Sequence, residues 1–244
     1  MTANVYYNDI DKYCCKVLAK NIERGNLPDG EIDNADIRTV DLVRLRQYRH
    51  VHLYAGIGGF PYGFSLASVP TSISILTAGF PCQPFSLAGK QKGTADDRYL
   101  WPITLAAISA LRPQYAVLEN VASLLTAERG AVFGRILSDL AESGYDAEWQ
   151  VLRASDFDAP HQRARIWVVA YRQGTGQGSV MEQGRGGDTQ IQSRGLYRDL
   201  RTHVQAGWAD EPKPRMVRVV DGVPAGLDKR IKAVGNGIVP QIAA

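Results

Sequence analysis

Short apolar runs alternate along the chain with stretches in which apolar residues return every three or four positions. Val5-Tyr6-Tyr7 predicts a short strand, and from about Asp11 to Glu23 the residues Cys14, Val17, Leu18 and Ile22 share one helical face. Val51 to Tyr54 predicts a second strand. It ends in the glycine turn Gly56-Ile57-Gly58-Gly59, after which a short helix fits. Ile73 to Thr77 predicts the next strand, ending at Gly79-Phe80-Pro81-Cys82, and a helix carrying Trp101, Leu105, Ile108 and Leu111 leads to Pro113. A strand from Tyr115 to Leu118, a helix around Val132 to Leu140, and strands near Trp149 to Leu152 and Ile166 to Ala170 follow. Repeated strand–helix alternation predicts an α/β fold, a mostly parallel sheet with helices on both faces.

The pattern breaks after Tyr171. Residues 172–195 are rich in Gly, Gln and Arg without an apolar period, 196–230 are mixed, and order is expected to resume from Val234 to Pro240. The reading is a catalytic and cofactor-binding domain over 1–171, a short target-recognition region or linker over 172–230, and a segment over 231–244 that returns to the first domain. A length of 244 residues suits one mid-sized domain with a small appended lobe. The formal charge of +3 permits nucleic-acid contact without demanding it. No apolar run is long enough to span a membrane and no signal-peptide pattern opens the chain, so a cytoplasmic protein is expected, with monomer as the default. The three cysteines, Cys14, Cys15 and Cys82, form neither a disulfide framework nor a zinc-spaced cluster, and no metal is expected.

Four places carry chemistry. The Gly56-x-Gly58-Gly59 loop lets backbone approach a ligand at a helix N-terminus, although a plain tight turn reads the same way. Cys82 follows a strand end, where open α/β sheets place their sites. Pro81 and Pro84 stiffen its loop, and Lys90 and Lys92 favour thiolate, although a buried core thiol is also compatible. Glu119 ends a hydrophobic strand, as a site acid, a helix cap or a surface ion pair would. Arg163 and Arg165 alternate before the last strand and so share one face of an extended chain, suiting a phosphate, a carboxylate or merely solvent. A cysteine nucleophile, a carboxylic acid and two arginines at one sheet edge point to covalent catalysis on an activated ring.

Ala55-Gly56-Ile57-Gly58-Gly59-Phe60, Gly79-Phe80-Pro81-Cys82-Gln83, Glu119-Asn120-Val121, Arg163-x-Arg165 and Gly235-Asn236-Gly237 resemble the signature blocks of the DNA cytosine-C5 methyltransferases. The stretch from Ile75 to Gly89 resembles their catalytic block almost residue for residue, and the resemblance covers roughly 4–171 and 230–242. It implies a Rossmann-like methyltransferase fold, S-adenosyl-L-methionine as cofactor and double-stranded DNA as partner. It also implies a cytosine flipped out of the duplex. Cys82 would then attack C6, Glu119 would hold N3 and the amine, and Arg165 with Arg163 would steady the base and a phosphate. In the same resemblance Tyr54, Gly56 and Gly58 form the cofactor loop. Asp9 in the Asn8-Asp9-Ile10-Asp11 block holds the ribose, with Ile10 beside it. Asp36 contacts the adenine amine, and Pro81, Leu100 and Asn236 complete the pocket. A cognate restriction endonuclease is a further partner that such enzymes imply.

Several features depart from the family pattern. Asp9 and Asp36 precede Gly56, whereas the glycine loop usually comes first; this resembles a permuted subgroup of phage or mobile-element type. The sites would still converge, because the family's glycine-loop strand lies beside both the ribose-acid strand and the catalytic strand. His52 stands where an acid is common, His161 where a glutamine often precedes the arginines, and the arginine-rich block supporting target recognition has no match. The chain stops at Ala244, so a stunted closing helix is expected. The alternatives are tRNA cytosine methylation by the same fold and a truncated, non-catalytic DNA-binding relative.

Overall fold

The computed structural model describes residues 4–81, 99–157, 159, 161–174 and 237–244. Seven strands form one sheet: β1 (Val5–Asn8), β2 (Glu31–Asp33), β3 (His50–Leu53), β4 (Ile75–Ala78), β5 (Tyr115–Val121), β6 (Tyr145–Arg153) and β7 (Ala164–Arg172). The helices are α1 (Lys12–Glu23), α2 (Gly59–Leu66), α3 (Trp101–Leu111), α4 (Ala131–Glu142) and the short α5 (Pro240–Ala243). The spatial order is β2-β1-β3-β4-β5-β7-β6, with the first five strands parallel and β7 antiparallel to both neighbours. This is the mostly parallel α/β sheet expected from the alternation of elements. Two features were not legible. The strand β2 has only three residues, too few for a period, and β6 with β7 forms an antiparallel pair that starts earlier than the apolar runs indicate.

Alternation along the strands divides the core in two. Tyr6, Val51, Leu53, Leu76, Ala78, Ala116, Leu118, Ile166 and Val168 point to one face, where Trp101 and Ile108 of α3 and Ile136 and Leu140 of α4 cover them. On the other face Val5 and Tyr7 meet Leu18 of α1, while Ile75 and Trp167 meet Phe60 and Phe64 of α2. Leu18, fully buried, contributes roughly 1.5–3 kcal/mol on that face. Asp11 caps α1 by accepting from Tyr13 N, so the helix starts one residue after the expected point. Among the described residues no helix is long and apolar enough to cross a membrane, and no group of three His, Cys, Asp or Glu residues stands where it could hold a metal ion.

Candidate active site

Strand register decides what converges. Asn8 pairs with Leu53, Leu53 with Ala78 and Ala78 with Leu118. One residue further along each strand, Asp9, Tyr54, Gly79 and Glu119 therefore sit side by side at the carboxyl edge. Because β7 runs antiparallel, its first residues arrive at the same edge, with Arg165 opposite Val121. The connection after β1 leads outward to β2 and the one after β3 leads the other way to β4, so a crevice lies between the ends of β1 and β3, where open α/β sheets bind ligands.

That crevice is lined by Asp9 and the glycine loop. The Asp9 carboxylate accepts from Gly56 N at 2.7 Å and from Asp11 N at 2.8 Å. Gly58 has φ 94°, a conformation that favours glycine, and a Cβ there would press on Leu27 Cδ1 at 2.6 Å and on Leu18 Cδ2 of α1 at 3.1 Å. Tyr54 leaves β3 with φ 53°, and its hydroxyl lies 3.1 Å from Thr104 Oγ1. Thr104 commits its single proton to Leu100 O at 2.9 Å, so Tyr54 is the donor in that pair. The glycine-loop strand is thus tied to the start of α3, next to Leu100. Ile10 is 65% exposed beside Asp9, an apolar side chain at the rim of the crevice. Asp36 follows β2 and pairs with Arg38 at 2.6 Å, which holds its carboxyl below the usual range.

At the other end of the row Glu119 is 9% exposed and 3.1 Å from Arg165 Nε. Burial pushes its carboxyl upward, opposed by Arg165 and Arg163. The expectation that Arg163 and Arg165 alternate on an extended strand is corrected: β7 starts at Ala164, and Arg163 has φ 32°, outside the extended region. The turn still leaves both arginines acting on Glu119, while Arg163 Nη2 donates to Gly237 O at 2.6 Å and so ties the C-terminal segment to the site. Cys82 and Asn236 lie outside the described residues, as does most of the expected recognition region. Pro81 is described and follows Gly79 and Phe80 at the end of β4.

Two asparagines that sequence reading did not single out position this edge. Asn120 Nδ2 donates to Phe80 O at 3.1 Å, fixing the segment that leads to Cys82 against β5. Asn8, 1% exposed, donates to Asp33 O and Ala35 O and holds the approach to Asp36. Their one sequence signal is an amide-bearing residue at a buried strand end. His52, at the position where an acid is common, is fully buried beneath α2, with Nδ1 2.8 Å from Thr77 Oγ1 and its ring stacked on Tyr7. Cys15 donates its thiol to Asp9 O, and burial pushes that thiol up to about 11, so it is a poor nucleophile.

A sequence profile described as C-5 cytosine-specific DNA methylase matches residues 67–208, more than half of the chain. The chain belongs to this family. It is 34% identical over 163 residues to the Type II methyltransferase M.HaeII of Haemophilus aegyptius, covering 52% of this chain and 51% of that protein. It is 37% identical over 133 residues to the Type II methyltransferase M.NlaX of Neisseria lactamica, covering 54% and 42%. Among solved structures, the Entamoeba histolytica methyltransferase EhMeth is similar at 17% identity and a TM-score of 0.46, covering 68% of this chain and 44% of that one. The chain spans about half or less of the length of these relatives. The stretch shared with the C-5 cytosine-specific DNA methylase family takes in Pro81, Cys82, Leu100, Glu119, Arg163 and Arg165; Asp9, Ile10, Asp36, Tyr54, Gly56 and Gly58 precede it.

Proposed function

We propose that this chain transfers a methyl group from S-adenosyl-L-methionine to C5 of cytosine in duplex DNA. The observation that carries the reading is the row Asp9, Tyr54, Gly79, Glu119, which puts a cofactor-type crevice and a buried carboxyl–arginine pair on one edge, beside the segment leading to Cys82. Type II methyltransferases among the relatives support DNA as the acceptor and a cognate restriction endonuclease as partner.

The residues of the crevice fit the cofactor. Asp9 is an acid beside the loop glycines, each of its oxygens can accept more than one hydrogen bond, and Ile10 offers an exposed apolar side chain to a flat ring. Tyr54, Gly56, Gly58, Asp36, Pro81, Leu100 and Asn236 would complete the hold. When bound, S-adenosyl-L-methionine supplies an electrophilic methyl group. The chain supplies the activation. Cys82 as thiolate adds to C6 of a flipped cytosine, and Glu119, whose carboxyl burial pushes toward its protonated form, donates to N3 as the ring accepts the electron pair. Arg165 and Arg163 face the developing charge. Once C5 carried the methyl group, with the cofactor left as its thioether, loss of the C5 proton to solvent would restore the C5–C6 double bond, Cys82 would leave as thiolate and N3 would return its proton to Glu119. The order of the blocks, with Asp9 and Asp36 ahead of Gly56, reads as a permutation that the sheet accommodates because β3 lies between β1 and β4. Residues 172–230 are the proposed target-recognition region.

The test is transfer of labelled methyl to mixed-sequence duplex DNA by the chain and by Cys82→Ala. Label recovered as 5-methylcytosine and absent with the variant is expected. Label that persists in Cys82→Ala, or that enters tRNA and not DNA, would overturn the assignment.

A further inference from the structure

A second concave site lies at the opposite edge of the sheet. Arg49, Ser74 and Gln114 immediately precede β3, β4 and β5, and Arg172 ends the antiparallel β7, so all four residues meet at the amino edge of the parallel strands. Together with Arg46 and Arg112 they line a cavity of about 450 Å³. Four of its lining residues are arginines and none is a carboxylate. Two of the arginines donate to backbone carbonyls. Arg46 Nε donates to Ala110 O at 2.9 Å, a neutral contact that orients its guanidinium, and Arg172 Nη1 donates to Arg112 O at 3.1 Å. Among the described residues none of Arg46, Arg49 and Arg112 takes part in an ion pair. Like charges gathered around one concavity repel each other until an anion enters, and several guanidinium forks suit the oxygens of phosphoryl groups.

We propose that this cavity binds a free polyphosphate anion of nucleotide size. The volume falls in the range of small-molecule sites, roughly 300–1,000 Å³. Leu111, partly exposed, supplies apolar wall beside the arginines, as a phosphorylated organic ligand requires. The walls come from the turn over Arg44–Gln47, the end of α3 and the strand edge, a concavity open to solvent that a free anion can enter. The site shares no residue with the carboxyl edge, so the inference stands apart from the proposed methyl transfer.

Titration calorimetry of the full chain with inorganic tripolyphosphate at fixed ionic strength tests it. Saturable one-to-one binding is expected, weakened at least tenfold in Arg49→Gln/Arg112→Gln, with the melting temperature of the free protein unchanged. Arg49→Lys/Arg112→Lys, which keeps the charge and loses the forks, is expected to fall between and serves as the readout if the glutamine pair does not fold. No saturable binding by the unaltered chain, or equal affinity in the variants, would overturn the proposal. Displacement of tripolyphosphate by an A/T-only duplex would reassign the cavity to DNA phosphate and overturn it as a free-anion site.

Discussion

Glu119 and His52 are both buried ionisable groups, and burial drives each toward its neutral form from opposite sides of the pH scale. His52 is pushed down to about 3 from an ordinary 6.5. As pH falls from 7 to 5 the unfolded chain takes up that proton and the folded chain does not, so stability should drop by about 2 kcal/mol from this group. Urea titrations at the two pH values check it, and His52→Asn should lose that part of the dependence. Glu119 has the reverse sign: its folded carboxyl holds a proton above the ordinary 4.5, so its stabilisation is present below that pH and is lost as pH rises through the folded value. Glu119→Gln keeps an acceptor for Arg165 and removes the acid. Methyl transfer should fall by about 10²- to 10⁴-fold with the melting curve nearly unchanged, and a rate within twofold of wild type would remove Glu119 from the chemistry.

Among the helices, α2 is where local sequence and distant packing meet. A Cβ on Gly59 would run into Ile238 O and lie 2.7 Å from Ile238 Cβ, and one on Gly63 would lie 2.6 Å from Pro240 O. The glycines let the C-terminal segment cross the helix at backbone contact. Gly59→Ala should therefore destabilise the protein by roughly 1–3 kcal/mol, and hydrogen exchange should report lost protection over residues 238–244. Gly134 in α4 makes the control: nothing lies within 4 Å of its missing Cβ. Gly134→Ala should stabilise by about 0.5–1 kcal/mol through helix propensity, read as a higher melting temperature. The opposite signs separate a glycine required by packing from one that is not.

For the whole molecule, the order β2-β1-β3-β4-β5-β7-β6 brings residues as far apart in the chain as Asp9, Gly56, Glu119, Arg165 and Gly237 to one edge. The C-terminal segment belongs to that assembly, since Ile238 and Ile242 pack beside Phe60, Phe64 and Trp167 while Gly237 accepts from Arg163. Deleting residues 238–244 removes the partly buried Ile238 and Ile242 from this cluster, so it should lower the denaturation midpoint and redshift tryptophan emission as Trp167 becomes exposed. An unchanged denaturation midpoint would show that the segment does not hold the site together.

The sequence alone determined the alternation of strands and helices, the glycine turn after β3, the acid Glu119 that closes an apolar run and the presence of two arginines around the start of the last strand. Each rests on a local signal: an apolar period, a glycine where φ must be positive, a charge at the end of an apolar run. The family blocks around Cys82 were likewise legible. That β5 continues past Glu119 to Val121 and that Arg165 lies within β7 came from the structure. Only the tertiary structure decided what those residues meet. Strand order is set by which apolar faces cover one another, and register then places Asp9 against Gly56 and Glu119 against Arg165. The short β2 and the early starts of β6 and β7 were not readable because they owe their pairing to a neighbouring strand rather than to a pattern of their own. The buried amides of Asn8 and Asn120, the turn at Arg163 and the arginine-lined cavity at the far edge have the same origin: each is a relation between segments distant in sequence, made when the sheet closes.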